Sequence, residues 1–207
     1  MAIKASFELE AAELELGNGP VAGIDEAGRG PWAGPVVAAA VILDPDNIPA
    51  SIADSKVLMP EEREAILPRI LASAKVGIGI ADVTRIDRDN ILNATLWAMA
   101  EAVSQLDPQP RLALIDGNKA PRLPMPARTI VKGDGRCLSI AAASIVAKVT
   151  RDRLMVELGR AFPQYGFERH KGYGTPEHQE ALRRHGVTDH HRRSFKPVQL
   201  ALGFGWG

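Results

Sequence analysis

Residues 34–43, GPVVAAAVIL, run for ten positions without one polar side chain. That length is well short of the roughly 18 apolar residues of a membrane span. It suits a buried strand, and the Gly-Pro entry favours strand over helix. Just before it, residues 21–26 (VAGIDE) form another apolar run, ending in two acids. Only a short Gly/Pro-rich segment separates the two, which predicts an antiparallel pair.

The remaining segments extend this start into a fold class. Residues 6–16 alternate Glu with Leu and Ala and stop at Gly17, a short helix whose acids make a solvated face. Residues 52–56 (IADSK) read as a turn or short strand. Pro60, with Glu61 and Glu62 behind it, opens a helix to residue 74, which Pro68 should kink or split. Residues 75–83 alternate as a strand. Residues 87–106 place Ile91, Ala94, Thr95, Ala98, Ala102 and Leu106 at helical spacing. Residues 111–115 form a strand running into Asp116-Gly117-Asn118, and residues 127–131 another that ends at Lys132-Gly133-Asp134. A long helix spans 138–162, and Thr175-Pro176 caps a last one closed by Gly186. Strands first paired and then alternating with helices predict an α/β fold, a mixed sheet flanked by helices. From about residue 163 the chain turns helical and basic, an extension of one domain covering 1–207 rather than a second domain.

Composition narrows the class. The 207 residues are 45% hydrophobic, enough for a core, and carry no net charge. Lys, Arg and His concentrate in 132–148 and 151–196, a distribution that can bind nucleic acid without a basic total. The single cysteine, Cys137, leaves no internal disulfide and no multi-cysteine zinc site. That suits a reducing cytosol. No signal-peptide core and no membrane span is evident, so a cytoplasmic monomer is expected.

Three apolar strands end in acids: Ile24 leads into Asp25 and Glu26, Ile115 into Asp116, and Val131 through two residues into Asp134. Taken singly, each acid reads as a turn or cap residue. Their recurrence at strand ends is the argument, because sites in open α/β sheets form there. Crowded carboxylates repel, and a divalent cation relieves them. Oxygen-only ligands favour Mg²⁺ or Mn²⁺ over zinc. Two such ions would activate a water and stabilise the leaving oxygen of a phosphodiester. Asp25 and Glu26 alternate across a strand, so sharing a ligand requires a bend; the glycines of GRGP permit one. Arg29, Lys56, Lys132, Ser144 and Lys148 suit a phosphate backbone, with Ser144 and Lys148 on one helical face. Asp82, Asp87 and Asp89 read as caps. His178, His185, His190 and His191 lack a zinc spacing and read as surface or packing residues. A phosphate-binding GxxxxGK[ST] loop is absent.

The strings IDEAGRGPWAGPVVAAAVIL, DSK, LIDGN, VKGD, SIAAASIVAKVTRD, KGYGT and HRRSF follow the order and approximate spacing of ribonuclease HII, and the resemblance runs from about residue 21 to 198. It implies a ribonuclease H-like fold with a C-terminal helical extension. It implies an endonuclease that cuts RNA in RNA–DNA hybrids and nicks 5′ of a single ribonucleotide in duplex DNA, leaving 3′-hydroxyl and 5′-phosphate ends. Carried over residue by residue, the acidic metal site is Asp25, Glu26, Asp116 and Asp134, holding two Mn²⁺ or Mg²⁺ ions with substrate bound. Gly28, Arg29 and Gly30 sense the ribose 2′-hydroxyl, Tyr173 stacks on the neighbouring sugar, and Lys56, Ser144 and Lys148 hold phosphates. Rival readings are a non-catalytic hybrid binder and a two-metal nuclease of broader specificity.

Overall fold

The computed structural model describes residues 5–52 and 58–203. Five strands form one sheet: β1 (Val21–Ala27), β2 (Val36–Leu43), β3 (Ala74–Ala81), β4 (Leu112–Asp116) and β5 (Ala127–Ile130), in the order β3-β2-β1-β4-β5. The first three pair antiparallel, whereas β1 with β4 and β4 with β5 are parallel. The mixed sheet and the opening antiparallel pair are as expected.

β2 is uniformly apolar because both of its faces are covered. Val37, Ala39 and Val41 pack with Ala142, Ile145 and Val146 of α4 (Leu138–Ala161) and with Ile66 and Ile70 of α2 (Pro60–Ser73). Val36, Ala38 and Ala40 pack on the other side with Ala94, Ala98 and Ala102 of α3 (Val83–Ser104). A strand with helices over both faces has no solvent side on which to alternate polar residues. The approach of α4 is close: a side-chain carbon on Gly23 would lie 2.1 Å from the Ser139 carbonyl carbon. Only glycine fits on β1 beneath that helix.

Two helices depart from expectation. α2 runs through Pro68 without a break. Pro68 sits on the exposed side, where water can satisfy the carbonyl that its missing N–H leaves behind. α3 starts at Val83, four residues before the predicted Asp87, and is interrupted at Asn90, with φ 65° and ψ 164°. The Asn90 side chain then caps the second segment, accepting the amides of Leu92 at 3.0 Å and Asn93 at 3.1 Å. Asparagine tolerates positive φ and caps well, so one residue does both.

The acids of α1 (Glu8–Glu15) are not all solvated, contrary to the sequence reading. Glu10 is fully buried, and its Oε1 accepts the Ser139 amide at 2.6 Å and the Cys137 thiol at 3.1 Å. The Ser6 carbonyl accepts the Leu138 amide at 3.1 Å. The first two amides of α4 have no partner within their own helix, so a segment some 130 residues earlier caps them. Burial and the Glu10 charge push the Cys137 thiol up to about 12, which keeps it protonated and inert.

Beyond α4 the chain forms short helices, α5 (Phe167–His170), α6 (Pro176–His185) and α7 (Lys196–Ala201). They close over a small core of Ala33, Met155, Tyr165, Phe167, Ala181 and Leu182. Thr175 caps α6 as expected. The extension is laced to the sheet: Ala33 and His191 form an antiparallel bridge, the Arg192 amide donates to the Trp32 carbonyl at 2.8 Å, and Asp87 accepts the amides of Arg193 and Ser194 at 2.9 Å each. His178 and His191 are completely buried, and burial pushes their imidazoles down to about 4 and about 3. They are packing residues, in line with expectation.

Two stability predictions follow from this packing. Glu10→Ala removes the acceptor of a buried amide, a loss of about 1–3 kcal/mol, which in a chain of this size lowers Tm by roughly 2–12 °C. Glu10→Gln, which keeps a carbonyl acceptor, should lower it less; equal Tm for wild type and both variants in calorimetry would refute the capping role. The histidines give a pH dependence of definite sign. Both folded values lie below the unfolded value of about 6.5, so below that pH the unfolded chain binds more protons than the folded one. Their contribution is complete above about pH 6.5 and is lost as pH falls toward 4 and 3. Urea midpoints should therefore drop less steeply from pH 7 to pH 4.5 in His191→Phe than in wild type.

Candidate active site

The pairing of β1 with β4 decides where two of the acids go. Ile24 and Ile115 are register partners, and both pack into the core beneath α3. Successive strand residues face opposite ways. The next residue on each strand, Asp25 and Asp116, therefore faces the α4 side at neighbouring strand ends. Asp134 arrives differently, on the short helical turn Gly133–Gly135 that leads into α4. That turn is tied to β4 by the Gly133 amide, which donates to Asp116 Oδ1 at 2.7 Å.

Asp25 and Asp134 are buried, while Glu26 and Asp116 are partly so. The Asp25 carboxyl is held well above the usual carboxylate range, chiefly by burial, then by the charges of Glu26 and Asp116, with a smaller push from Asp134. Among the described residues it is compensated by the Glu26 amide, donated to Oδ1 at 2.7 Å. The mutual repulsion predicted from the sequence is thus present at Asp25. Asp25 and Glu26 line one pocket, of about 320 Å³, with Ala27, Gly28, Arg63, Ser144, Lys148, Arg151 and Tyr173. Asp116 and Asp134 stand behind it, near enough to act on Asp25 by charge. Among the described residues no three Asp, Glu, His or Cys side chains are drawn together tightly enough to enclose an ion as they stand. The donor set still fits a hard divalent cation, being all oxygen and internally repulsive.

Gly28, Arg29 and Gly30 form a loop at the rim of the same pocket. Gly28 has φ +97°, and a side-chain carbon there would lie 2.0 Å from Arg151 Nε, so two independent constraints require glycine. Arg29 is exposed, with Nη1 3.4 Å from Glu26 Oε1. Tyr173 is 47% exposed, and its ring edge lies 3.5 Å from where a side-chain carbon of Gly30 would be. The loop and the tyrosine therefore face one another across a narrow gap.

Two buried arginines hold this rim. Arg192 donates to the carbonyl oxygens of Gly28 at 2.6 Å, Gly34 at 2.9 Å, Arg29 at 3.0 Å and Pro35 at 3.2 Å. Arg151, on α4, donates to Pro35 at 2.9 Å, Lys171 at 3.0 Å and Ala33 at 3.2 Å. Burial pushes these guanidinium groups down to about 9 and about 10, which leaves both charged at neutral pH. Reading residues along the chain did not assign a role to either. The available signal was arginine inside otherwise apolar or motif-bearing segments, but all the carbonyls they serve except that of Lys171 lie more than 100 residues away.

The phosphate candidates divide. Ser144 and Lys148 do line the pocket from one face of α4. Ser144 Oγ donates to the Ala141 carbonyl at 2.9 Å, and Lys148 pairs with Asp152 at 2.6 Å. Lys56 lies outside the described residues, and Lys132, in the left-handed region at φ 56°, is exposed and does not line the pocket. Arg63, absent from the sequence reading, lines it from α2, its Nη1 donating to the Leu58 carbonyl at 2.6 Å. Asp82 caps α3 by accepting the Arg85 amide at 2.7 Å, and Asp89 pairs with Arg85 and Arg88. Asp87 instead receives amides from the extension, so none of the three joins the site.

Known proteins share both this sequence and this fold. The family model for ribonuclease HII matches residues 22–198. The chain is 61% identical over 194 residues to a ribonuclease HII of Azorhizobium caulinodans, covering 94% of this chain and 75% of the relative. The ribonuclease H2 of Pyrococcus horikoshii superposes with a TM-score of 0.77 at 24% identity, covering 89% of this chain and 97% of that one. Bst ribonuclease HIII, solved in complex with Mn²⁺, superposes with a TM-score of 0.71 at 23% identity, covering 93% and 72%. At those identities the two structures speak to the fold alone. The sequence kinship reaches further, spanning the sheet and the extension alike: the chain belongs to the ribonuclease HII family and is a ribonuclease H, a nuclease that hydrolyses RNA within RNA–DNA hybrids.

Proposed function

We propose that this chain, besides cutting the RNA strand of hybrids, nicks duplex DNA on the 5′ side of a single embedded ribonucleotide, leaving 3′-hydroxyl and 5′-phosphate ends. The observation that carries the reading is the placement of Asp25 beside Asp116 at paired strand ends, with Asp134 tied to Asp116 through Gly133. Asp25, Glu26, Asp116 and Asp134 are the catalytic acids and would hold two Mn²⁺ or Mg²⁺ ions; Mn²⁺ is the ion in the ribonuclease HIII relative. Bound there, such ions supply an activated water and neutralise charge at the leaving oxygen. The raised Asp25 supports the assignment, since a positive charge is what its surroundings favour.

The remaining residues bind and orient. Only RNA carries a 2′-hydroxyl, so contacts to it distinguish a ribonucleotide from its DNA neighbours. Gly28, Arg29 and Gly30 bring backbone and one exposed guanidinium to the pocket rim, within reach of that hydroxyl. Tyr173 presents a half-exposed ring across the gap, suited to stacking on the adjoining sugar. Ser144 and Lys148 take the phosphate on the α4 side, and Lys56 joins them. The chain acts as one catalytic unit, 1–207, in ribonucleotide removal and RNA-primer degradation. It is a cytoplasmic monomer, and among the described residues no helix is long and apolar enough to cross a membrane.

A pure hybrid binder is disfavoured, because acids beside a polyanion weaken binding unless they serve chemistry. A nuclease of broader specificity would have no use for the gap between the GRG loop and Tyr173.

Asp25→Asn and Asp116→Asn should each cut nicking of a one-ribonucleotide duplex by more than about a hundredfold, since even outer-shell partners of a metal site cost up to that much. Wild-type-like rates in either would overturn the site. Tyr173→Ala should lower the same rate by roughly five- to 150-fold, the worth of one stacking contact of about 1–3 kcal/mol. In EDTA, Asp25→Asn should melt higher than wild type, because it removes a charge from a repulsive cluster. Added Mn²⁺ should raise the Tm of wild type and move Asp25→Asn far less, as read by calorimetry.

A further inference from the structure

Beneath the Tyr173 turn lies a group of imidazoles that the proposed chemistry does not use. His178 and His191 meet through their Nε2 atoms at 3.0 Å. At one end, His191 Nδ1 faces the Thr188 amide at 3.0 Å and the Thr188 hydroxyl at 2.9 Å. At the other, His178 Nδ1 lies 3.0 Å from the Tyr173 carbonyl oxygen.

The two ends fix every proton between them. A backbone amide can only donate, so His191 Nδ1 accepts and its proton sits on Nε2. That proton points at His178 Nε2, which accepts. The His178 proton is then on Nδ1, aimed at a carbonyl that can only accept. The order is Thr188 amide, His191, His178, Tyr173 carbonyl, all donating in one direction. Burial keeps both rings neutral at neutral pH, the state this order requires. His170 stacks on His178 with centroids 4.6 Å apart, and its Nδ1 accepts the Gly172 amide at 3.1 Å. Two successive residues of the turn, Gly172 and Tyr173, are thus held through their backbone by buried imidazoles.

The next residue along the chain reaches the opposite wall of the gap. Arg192 follows His191, and its guanidinium gathers the carbonyls of Gly28 and Arg29. Two adjacent residues of the extension therefore anchor the two elements that face each other across the pocket rim.

We propose that His191 and His178 are specificity-determining positioning residues: their proton relay sets Tyr173 against the GRG loop that Arg192 anchors, and so fixes the width of the ribose-reading gap. The inference rests on the assignment of Tyr173 and the GRG loop to ribose reading.

A double-mutant cycle tests it with full-length protein and two substrates, a duplex with one ribonucleotide and a long RNA–DNA hybrid. His178→Phe keeps a ring in the core but breaks the relay. It should lower kcat/KM on the one-ribonucleotide duplex by roughly ten- to a hundredfold, the usual cost of a misplaced contact group. The hybrid should change by no more than about twofold, because a run of ribonucleotides leans less on a single stacked sugar. In a Tyr173→Ala background, His178→Phe should add no further loss, since the relay acts only through that tyrosine. Equal losses on both substrates, or full additivity in the double variant, would overturn the proposal. If Tyr173→Ala alone leaves the one-ribonucleotide duplex unaffected, the stacking role itself fails, and the relay is judged by a second measurement. Imidazole ¹⁵N resonances of the wild-type protein at neutral pH should show His178 protonated at Nδ1 and His191 at Nε2. The reverse tautomers would overturn the relay whatever the variants do, including the case in which His178→Phe fails to fold.

Discussion

The parallel pairing of β1 with β4 is the contact on which the site depends. Because Ile24 sits opposite Ile115, both isoleucines drop into the core below α3, and the following residues, Asp25 and Asp116, rise together toward α4. A slip of one residue would turn one carboxylate into the apolar layer and one isoleucine out of it. The core thus enforces the register, and the register delivers the acids. A strand buried on both faces, β2, braces β1 from the other side, so neither partner can slide without exposing apolar surface.

Charge shapes the site in two opposite ways. On the sheet, like charges are forced together and Asp25 bears the consequence, with its carboxyl pushed well up. At the rim, two guanidinium groups are buried, their positive ends satisfied by backbone carbonyls. Six such contacts from Arg151 and Arg192 turn a glycine-rich loop, flexible by composition, into a fixed wall. Arginine suits this task better than lysine because its planar fork offers five donors in a set geometry. Rigid supports of this kind are what a loop needs if it is to distinguish one hydroxyl group.

The fold was largely legible from local pattern. Apolar runs of strand length, glycine and proline punctuation, and acids at the ends of β1 and β4 all follow from neighbours in the chain. What escaped depends on partners far away. Glu10 looks like one more acid on a solvated helix until α4 is seen to end its first turn on it. Arg151 and Arg192 look like surface charge until the carbonyls of residues 28–35 close around them. The break in α3 was missed for a different reason: apolar spacing continues across Asn90, while the backbone there reverses sign in φ. Among the candidate site residues, the acids and glycines are marked by their spacing in the chain. Arg63 did not, because an arginine in an ordinary helix carries no local mark of facing a pocket.

The proposed chemistry and the proposed recognition are divided between two parts of the chain. The acids belong to the sheet and to the turn before α4. The elements that face one another across the rim are held from the extension, by Arg192 on one side and by the buried imidazoles on the other. Arg151 joins the parts: from the middle of α4 it donates to Ala33 and Pro35 beside the GRG loop and to Lys171 beside Tyr173. An arginine placed this way couples the distance between the two walls to the position of α4, the helix that also carries Ser144 and Lys148. The residues proposed to bind phosphate and those proposed to read the sugar therefore share one rigid reference. The extension is then no accessory to the sheet. Without it the GRG loop would lose the carbonyl contacts of Arg192, and Tyr173 would be gone with its turn, leaving the acids without the two elements proposed to choose the cut.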